Sequence, residues 1–395
     1  MPEPTPARPL TGIRVVDLTS NMSGPLATMV LADQGADVVK VEPLKGDLIR
    51  TVGTGANGMS AYFANLNRGK RSIAVDLGMP EGVALVLRLC EDADVFVQNF
   101  RTGVVERLGL GADVVRGVNP KLVYASISGF GTTGPMATVP AYDHVVQALS
   151  GFAALQSEGM DEATMVRHGV IDKATAYSTA QAITAALLAR VRTGEGCRID
   201  VSMLDVALAF LWPDGMMNHT VVDPVEVLPP VHRSFKLSPT ADGHVSMVTL
   251  TAAQWQALVD ALADEDDEKV DLSDTRTRMA QGGAVMRAVK AKVATLPTAE
   301  VVQRLTDAGV PVAPVVDLED LFDQEQIAAV GAIRAVDHQV MGPIHQPRPA
   351  PVIDGSSLDV ADWAPAIGQH TDAILAEAGL RADEIEALRA SATIA

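Results

Sequence analysis

Between Arg167 and Gly194 a single acidic residue stands in an apolar, alanine-rich stretch: Asp172, in Gly169-Val170-Ile171-Asp172-Lys173-Ala174. Two uses of that carboxylate fit. The residues that follow, KATAYSTAQAITAALLARV, have a helical pattern, so Asp172 can be an N-cap that accepts backbone N–H bonds at the helix start. The same place favours a second use. A carboxylate at a helix N-terminus beside apolar walls stays ionised and weakly hydrated, and such a carboxylate can act as a nucleophile. Capping is the commoner role. The two are compatible, and the stretch alone does not separate them.

Other chemistry-bearing groups are sparse. Arg68, Lys70 and Arg71, in NRGKR, form the densest basic cluster, and Lys45 is a further isolated cation. The eight histidines show no HxxxH or HExxH spacing, so no metal site is indicated. Cys90 and Cys197 are far apart and form no CxxC pair, which points to a reducing cytoplasm rather than a disulfide framework. A net charge of −18 argues against a nucleic-acid binder. No signal core and no membrane span is apparent, so membrane insertion is not expected. Any anionic ligand must therefore find a local basic pocket on an acidic surface.

The elements that position these groups can be read from the same 395 residues, of which 48% are apolar and 20% charged. GIRVVDLTS reads as a buried strand, followed by a helix opening near Pro25 and a second strand around Val38–Val41. RSIAVDL, DVFVQNF and KLVYASISGFG read as three more strands, with the helix PEGVALVLRLCEDA among them. Strands alternating with helices give an α/β fold with a parallel sheet covered on both faces, Rossmann-like in layout. Ligands in such sheets sit beyond the carboxyl ends of the strands. Neither GxGxxG nor GxxxxGK[ST] is present, so no standard phosphate-cradling loop is expected. Along the chain, residues 1–204 form the first part of the large domain and 205–232 a proline-rich linker. A smaller α+β domain spans 233–325, with two strands joined at Asp242-Gly243 and helices near 252–263, 276–294 and 298–308. Residues 326–350 form a second linker, and 351–395 return to the large domain. On the helix after Asp172, Ala176, Ala180 and Thr184 recur every fourth position, which predicts a close-packing face.

Eight segments occur in a telling order: GIRVVDLT…SGPLATMVLADQGADVVKVE, FANLNRGKRSIAVDL, DVFVQNFRTGVVERLGLG, NPKLVYASISGFGTTGP, AYDHVVQALSG, TGEGCRIDVSMLD, AGVPVAPV and GQHTDAIL. Together they resemble the family III coenzyme A transferases, and the resemblance runs from about residue 9 to 392. It implies an interlocked homodimer of two threaded chains, with acyl-CoA and a small carboxylic acid as substrates and no permanently bound cofactor. It places the family's nucleophilic aspartate on Asp172, which would form an acyl anhydride and then an aspartyl-CoA thioester. It places CoA contacts at Val75 to Leu77, at Asn99-Phe100-Arg101 and at Arg107. The Arg107 guanidinium suits a phosphate through paired donors. The cluster Arg68, Lys70, Arg71 would lie at a sheet edge near the nucleotide, while Pro43 and Gly78 stand where relatives often carry a basic residue. Asn21 and Met22 follow the first strand, where the family lines the acyl pocket; Met22 as core filler is an equal alternative. Tyr142 and Asp143 match residues that line the CoA channel.

The related racemases use a histidine with the aspartate as an acid/base pair. Here Tyr142 occupies that histidine's slot, and His144, two places on, should point elsewhere on a helix. A phenol with a pKa near ~10 is a poor base at neutral pH, so the resemblance favours transfer over racemisation. A non-catalytic CoA-binding paralogue is the alternative from another class. No glycine-rich lid is visible between residues 213 and 250, so formyl or oxalyl specificity is not expected.

Overall fold

Short runs of valine, isoleucine and alanine, ended by polar turn residues, build the central sheet. The computed structural model describes residues 8–263, 275–358 and 362–395, without the side chains of 275–281; the proline-rich opening residues 1–7 lie outside it. The strands are β1 (Arg14–Asp17), β2 (Asp37–Glu42), β3 (Lys70–Ala74), β4 (Val95–Gln98), β5 (Val123–Ser128) and β6 (Arg198–Ser202). They pair in the order β3-β2-β1-β4-β5-β6, all parallel. Val16 on β1 faces Val39 on β2 and Phe96 on β4. Five of these strands match the sequence expectation. The sixth, β6, has an alternating exposed and half-buried pattern instead of a continuous apolar run, as an edge strand should.

Helices return the chain between strands. They are α1 (Ser23–Asp33), α2 (Ala61–Asn67), α3 (Pro80–Glu91), α4 (Val104–Arg107), α5 (Ala112–Val118), α6 (Asp143–Leu149), α7 (Val170–Thr193) and α8 (Met203–Gly215). On one face Val15, Val38, Val95 and Val123 pack with Leu31, Ile183 and Leu187 of α1 and α7; on the other, Val16, Val39, Phe96 and Tyr124 pack with Leu85, Val86 and Val115. Strands buried on both faces are mostly apolar, which is why they read as runs; Asp17, Lys40, Glu42 and Lys70 are charges buried among them. Because β1 sends the chain one way to β2 and β3, and β4 lies on its other side, a crevice opens beyond the carboxyl ends of β1 and β4.

The buried face of α7 consists of Ile171, Thr175, Ala176, Thr179, Ala180, Ile183 and Leu187. Ala176 and Ala180 let α1 approach closely, as expected. Thr184 is exposed, which corrects the four-residue pattern. A step of four residues overshoots a turn by about 40°, so the buried stripe passes to Ile183.

The chain divides into two compact units, Met1–Pro213 with Gly331–Ala395, and Asp214–Val330. The expected first linker therefore begins inside α8, because the apolar run Met203–Trp212 sustains a helix to Gly215 even with Pro213 in its last turn. The second unit has an antiparallel sheet, β7 (Ser238–Pro239), β8 (His244–Met247) and β9 (Val312–Pro314), with helices α9 (Ala252–Leu262), α10 (Thr275–Val293) and α11 (Thr298–Asp307). Its core is Val245, Leu258, Val293, Val301 and Leu305. The expected second linker also differs, since it carries a hairpin, β10 (Ile333–His338) and β11 (Gly342–Pro347). Proline is tolerated in a two-stranded ribbon with open edges, so Pro343 and Pro347 do not break it. The hairpin joins the large unit: the Gln346 amide donates to the Ala64 carbonyl at 3.2 Å and Arg68 donates to the Pro347 carbonyl at 2.6 Å. Helices α12 (Thr371–Glu377) and α13 (Ala382–Ala390) complete that unit.

Candidate active site

A cavity of about 240 Å³ lies in the crevice beyond β1, β4 and β5. Its walls come from the ends of these strands and the chain that leaves them: Ser20, Asn21 and Ser23 after β1, Asn99 to Thr102 after β4, Ser128 at the end of β5 and Gly129 after it. Ile127, Val139 and Met203 give it apolar sides, and Tyr142 and Asp172 complete it. Asp172 is the one carboxylate among these lining residues.

Asp172 does not cap its own helix. It is the third residue of α7, whose N-cap is Gly169 with no side-chain bond. The cap comes from Asp143, at the first turn of α6. Its Oδ2 accepts from the Ile171 N–H at 2.7 Å and from the Asp172 N–H at 2.9 Å. Gln147, one turn further along α6, donates to Asp143 Oδ1 at 2.5 Å, and its own carbonyl oxygen accepts from the Val166 N–H at 3.1 Å. Asp143 and Gln147 are both buried. The Asp172 side chain is thus released from capping and faces the cavity.

Its environment makes that carboxyl weakly acidic. Burial pushes the Asp172 pKa up to about 6, and the negative charge of Asp143 adds to the rise. The hydroxyl and amide of Ser23, and to a smaller extent His144, pull the other way. His144 is exposed and does not line the cavity. Tyr62 on α2 was not anticipated. Burial and the nearby charges of Asp172, Asp143 and Asp47 raise its phenol above the ordinary value.

The arc after β1 rests on a buried charge network. Asp17 accepts from the Thr19 N–H at 2.9 Å, from the Thr28 hydroxyl at 2.7 Å and from Lys70 at 3.0 Å. Lys40 donates to the Thr19 carbonyl at 2.8 Å and to Asp47 at 3.1 Å. Burial alone would raise the Asp17 carboxyl, but Lys70, Lys40 and the two threonine hydroxyls outweigh it and hold it low. Burial lowers Lys70 to about 8, against the pull of Asp17. On this base Asn21 sits in the left-handed region at φ 64°, a conformation that costs a non-glycine residue energy and is held by its surroundings.

The structure sorts the sequence-predicted residues into two groups. Asn21, Asn99, Phe100, Arg101, Tyr142 and Asp172 line the cavity. Val75, Leu77, Arg107 and Asp143 do not. Val75 is 1% exposed and bridges to Ile394, and Leu77 packs against the same core. Arg107 ends α4 and is exposed. The basic cluster is not available to a nucleotide. Arg68 is bidentate to Asp33 at 2.9 and 2.8 Å, Lys70 is buried on Asp17, and Arg71 holds both Asp37 and Glu377. Each cation has a carboxylate from a neighbouring element, which a linear sequence does not display. Met22 lies outside the cavity lining and packs near Leu26, Met59 and Phe63, with its sulfur over Gly169; the core-filler reading is the one observed. At Gly169 a Cβ would lie 2.7 Å from that sulfur, and at Gly129 a Cβ would lie 2.1 Å from the Ala141 Cβ. Gly129 lets the cavity wall close on Ala141 and Gly169 lets Met22 pack against the start of α7, roles that only the three-dimensional approach reveals. Among the described residues no helix is long and apolar enough to cross a membrane, and no group of three or more His, Cys, Asp or Glu is placed to hold a metal ion.

Comparison with known proteins gives a consistent result. A model of CoA-transferase family III matches residues 10–371. The chain is 34% identical over 386 residues to a succinate–glutarate CoA-transferase of Agrobacterium fabrum, covering 93% of this chain and 95% of that protein. It is 36% identical over 350 residues to an acetyl-CoA:oxalate CoA-transferase of Acetobacter aceti, covering 83% and 87%. The crystal structure of a CaiB/BaiF family protein from Brucella suis superposes with a TM-score of 0.80 at 30% identity, covering 94% of this chain and all of that one.

Proposed function

The chain belongs to CoA-transferase family III, and from that premise we propose that Asp172 carries the acyl group and then CoA in turn. The enzyme moves CoA between an acyl-CoA and a carboxylic acid. The proposed sequence needs no metal and no external proton. An Asp172 oxygen attacks the thioester carbonyl carbon, the C–S bond breaks, and CoA leaves as thiolate with the bonding pair. This forms a mixed anhydride. The thiolate then attacks the Asp172 carbonyl, giving an aspartyl-CoA thioester and releasing the donor acid as carboxylate. The acceptor carboxylate attacks that thioester, and the returning thiolate takes the acceptor acyl group and regenerates Asp172.

The observation that carries this reading is the isolation of Asp172 as the sole carboxylate among the described residues that line a partly apolar cavity. A carboxylate poorly solvated by its surroundings is a better nucleophile than one in water, and apolar walls protect an anhydride from hydrolysis. Asn21 stands on the same wall as a donor for charge developing on the carbonyl oxygen, while Ser23 donates to Asp172 itself. Arg101 is the cation at the cavity, suited to the anionic part of CoA, with Phe100 beside it. Tyr142 lines the cavity while His144 does not, which favours transfer over α-proton exchange.

The acid is a short dicarboxylate of succinate or glutarate length in this reading, as the name of the Agrobacterium relative suggests. CoA enters as substrate, with no cofactor bound permanently. A homodimer is part of the proposal. Leu188 and Val191 on α7 and Val222, Val225 and Phe235 beyond α8 are exposed apolar side chains, and surfaces of that kind mark protein contacts. A monomeric mass in sedimentation at micromolar concentration, with activity retained, would contradict it. The free thiols Cys90 and Cys197 fit a cytoplasmic setting.

The test is a panel of acyl-CoA donors, succinyl-CoA and acetyl-CoA among them, against oxalate, succinate, glutarate and monocarboxylates, with products separated by liquid chromatography. Transfer to a dicarboxylate is expected. Epimerised 2-methylacyl-CoA without acid exchange, or CoA binding without turnover, would replace the proposal by the racemase or the non-catalytic alternative.

A further inference from the structure

Asn99 follows β4 and was expected to touch CoA. Its amide is turned elsewhere. Oδ1 accepts from the Ser20 N–H at 2.9 Å, and Nδ2 donates to the Ser20 carbonyl at 2.8 Å. Both ends of one side chain thus pair with both polar atoms of one backbone residue. The pairing acts as an extra rung between the chain leaving β4 and the chain leaving β1, at the point where the sheet order reverses. The segment it grips runs into Asn21, in its left-handed conformation, and then into Ser23, which is buried at the start of α1 and faces Asp172. From below, the same segment is held by Lys40 on the Thr19 carbonyl and, at a long 3.5 Å, by Asp47 on the Asn21 N–H. The latter is weak for a hydrogen bond. Without Asn99 the peptide groups of Ser20 lose their partners at the cavity wall.

We infer that Asn99 is a positioning residue: through its two bonds to Ser20 it fixes the Asn21–Ser23 arc against Asp172, and its amide is not a CoA contact. The inference deepens the transferase reading and rests on Asp172 as the reacting group. Asp172 is faced by Asp143 and His144 from α6, by Tyr62 from α2 and by Ser23 from α1, with Lys173 beside it on its own helix. Of these, Ser23 is the group that Asn99 holds in place. Releasing the arc withdraws donors from the carboxylate, so its protonated form gains.

The experiment compares wild type with Asn99→Ala. Affinity for free CoA, by calorimetry, should stay within about twofold, while kcat falls by about tenfold or more. The acid limb of the rate profile should move up by about half a pH unit or more. A second readout needs no turnover. The stability difference between Asp172 and Asp172→Asn proteins, followed against pH with and without Asn99, reports the Asp172 titration directly. If the wild type transfers no CoA, the functional reading fails, but this second measurement still decides the positioning role. Should Asn99→Ala fail to fold, Asn99→Gln, which keeps the amide on an arm one methylene longer, is expected to change kcat and the titration in the same directions. CoA affinity lost by about tenfold with kcat unchanged, or an unmoved Asp172 titration, overturns the inference.

Discussion

Replacing Asp172 with asparagine should make the protein more stable and inactive at once. The reasoning starts from the separation of roles at the start of α7. Asp143, not Asp172, accepts the N–H groups of Ile171 and Asp172, so the substitution costs no cap. What it removes is a carboxylate whose pKa burial raises to about 6, against about 3.9 for an unfolded aspartate. The folded state therefore binds the proton more tightly than the unfolded one. Above about pH 6 both states are ionised and the folded protein carries the full penalty; below about pH 4 both are protonated and the penalty vanishes. At 1.36 kcal/mol per pKa unit the ceiling is about 3 kcal/mol, and because the residue is only half-buried by area the expected gain is about 1–3 kcal/mol. Urea unfolding of both proteins at pH 8 and at pH 4.5 measures it. The asparagine protein should lead at pH 8 and lose that lead toward pH 4.5, with turnover abolished. No lead at pH 8, or a lead that persists undiminished at pH 4.5, would refute the raised Asp172 pKa on which the reasoning rests.

The other expectations concern the same site. With the nucleophile ionised only above about pH 6, kcat/KM should fall below that pH; a rate flat down to pH 5 would contradict it. Asp143→Ala should destabilise by about 1–2 kcal/mol through the loss of the α7 cap. It should also shift the acid limb to lower pH, because a neighbouring negative charge is gone; an unshifted limb in a folded variant would remove Asp143 from the electrostatics of the site. Arg107→Ala should weaken CoA binding by about 1–3 kcal/mol if the guanidinium meets a phosphate, and unchanged affinity by calorimetry would take the exposed Arg107 out of the site.

How much of this was legible in the sequence depended on how local each signal was. Five buried strands announced themselves because burial on both faces favours short, mostly apolar runs, even with Lys40, Glu42 and Lys70 buried within them. β6, at the sheet edge, did not. The alanine-rich helix and Asp172 at its start were visible, and so was the region beyond β4 that supplies Asn99, Phe100 and Arg101. What stayed hidden were the pairings across the chain. The cap on α7 comes from a residue 29 positions earlier. The cations of NRGKR are neutralised by Asp33, Asp17, Asp37 and Glu377, so a cluster that looks free in sequence is spent in the fold. Val75 read as a ligand contact, but Ile394, more than three hundred residues later, covers it. Gly129 carries a packing demand that appears only once Ala141 is beside it.

The covalent step is the centre of the account, and trapping tests it most directly. The protein is incubated with an acyl-CoA that it turns over, quenched with hydroxylamine and digested, and the peptide containing Asp172 is weighed by mass spectrometry. Hydroxylamine captures both an anhydride and a thioester of a carboxylate, so Asp172 is expected as the hydroxamate, dependent on acyl-CoA and absent from Asp172→Asn. Full turnover with Asp172 unmodified, or a folded Asp172→Asn protein that transfers CoA at the normal rate, would contradict it.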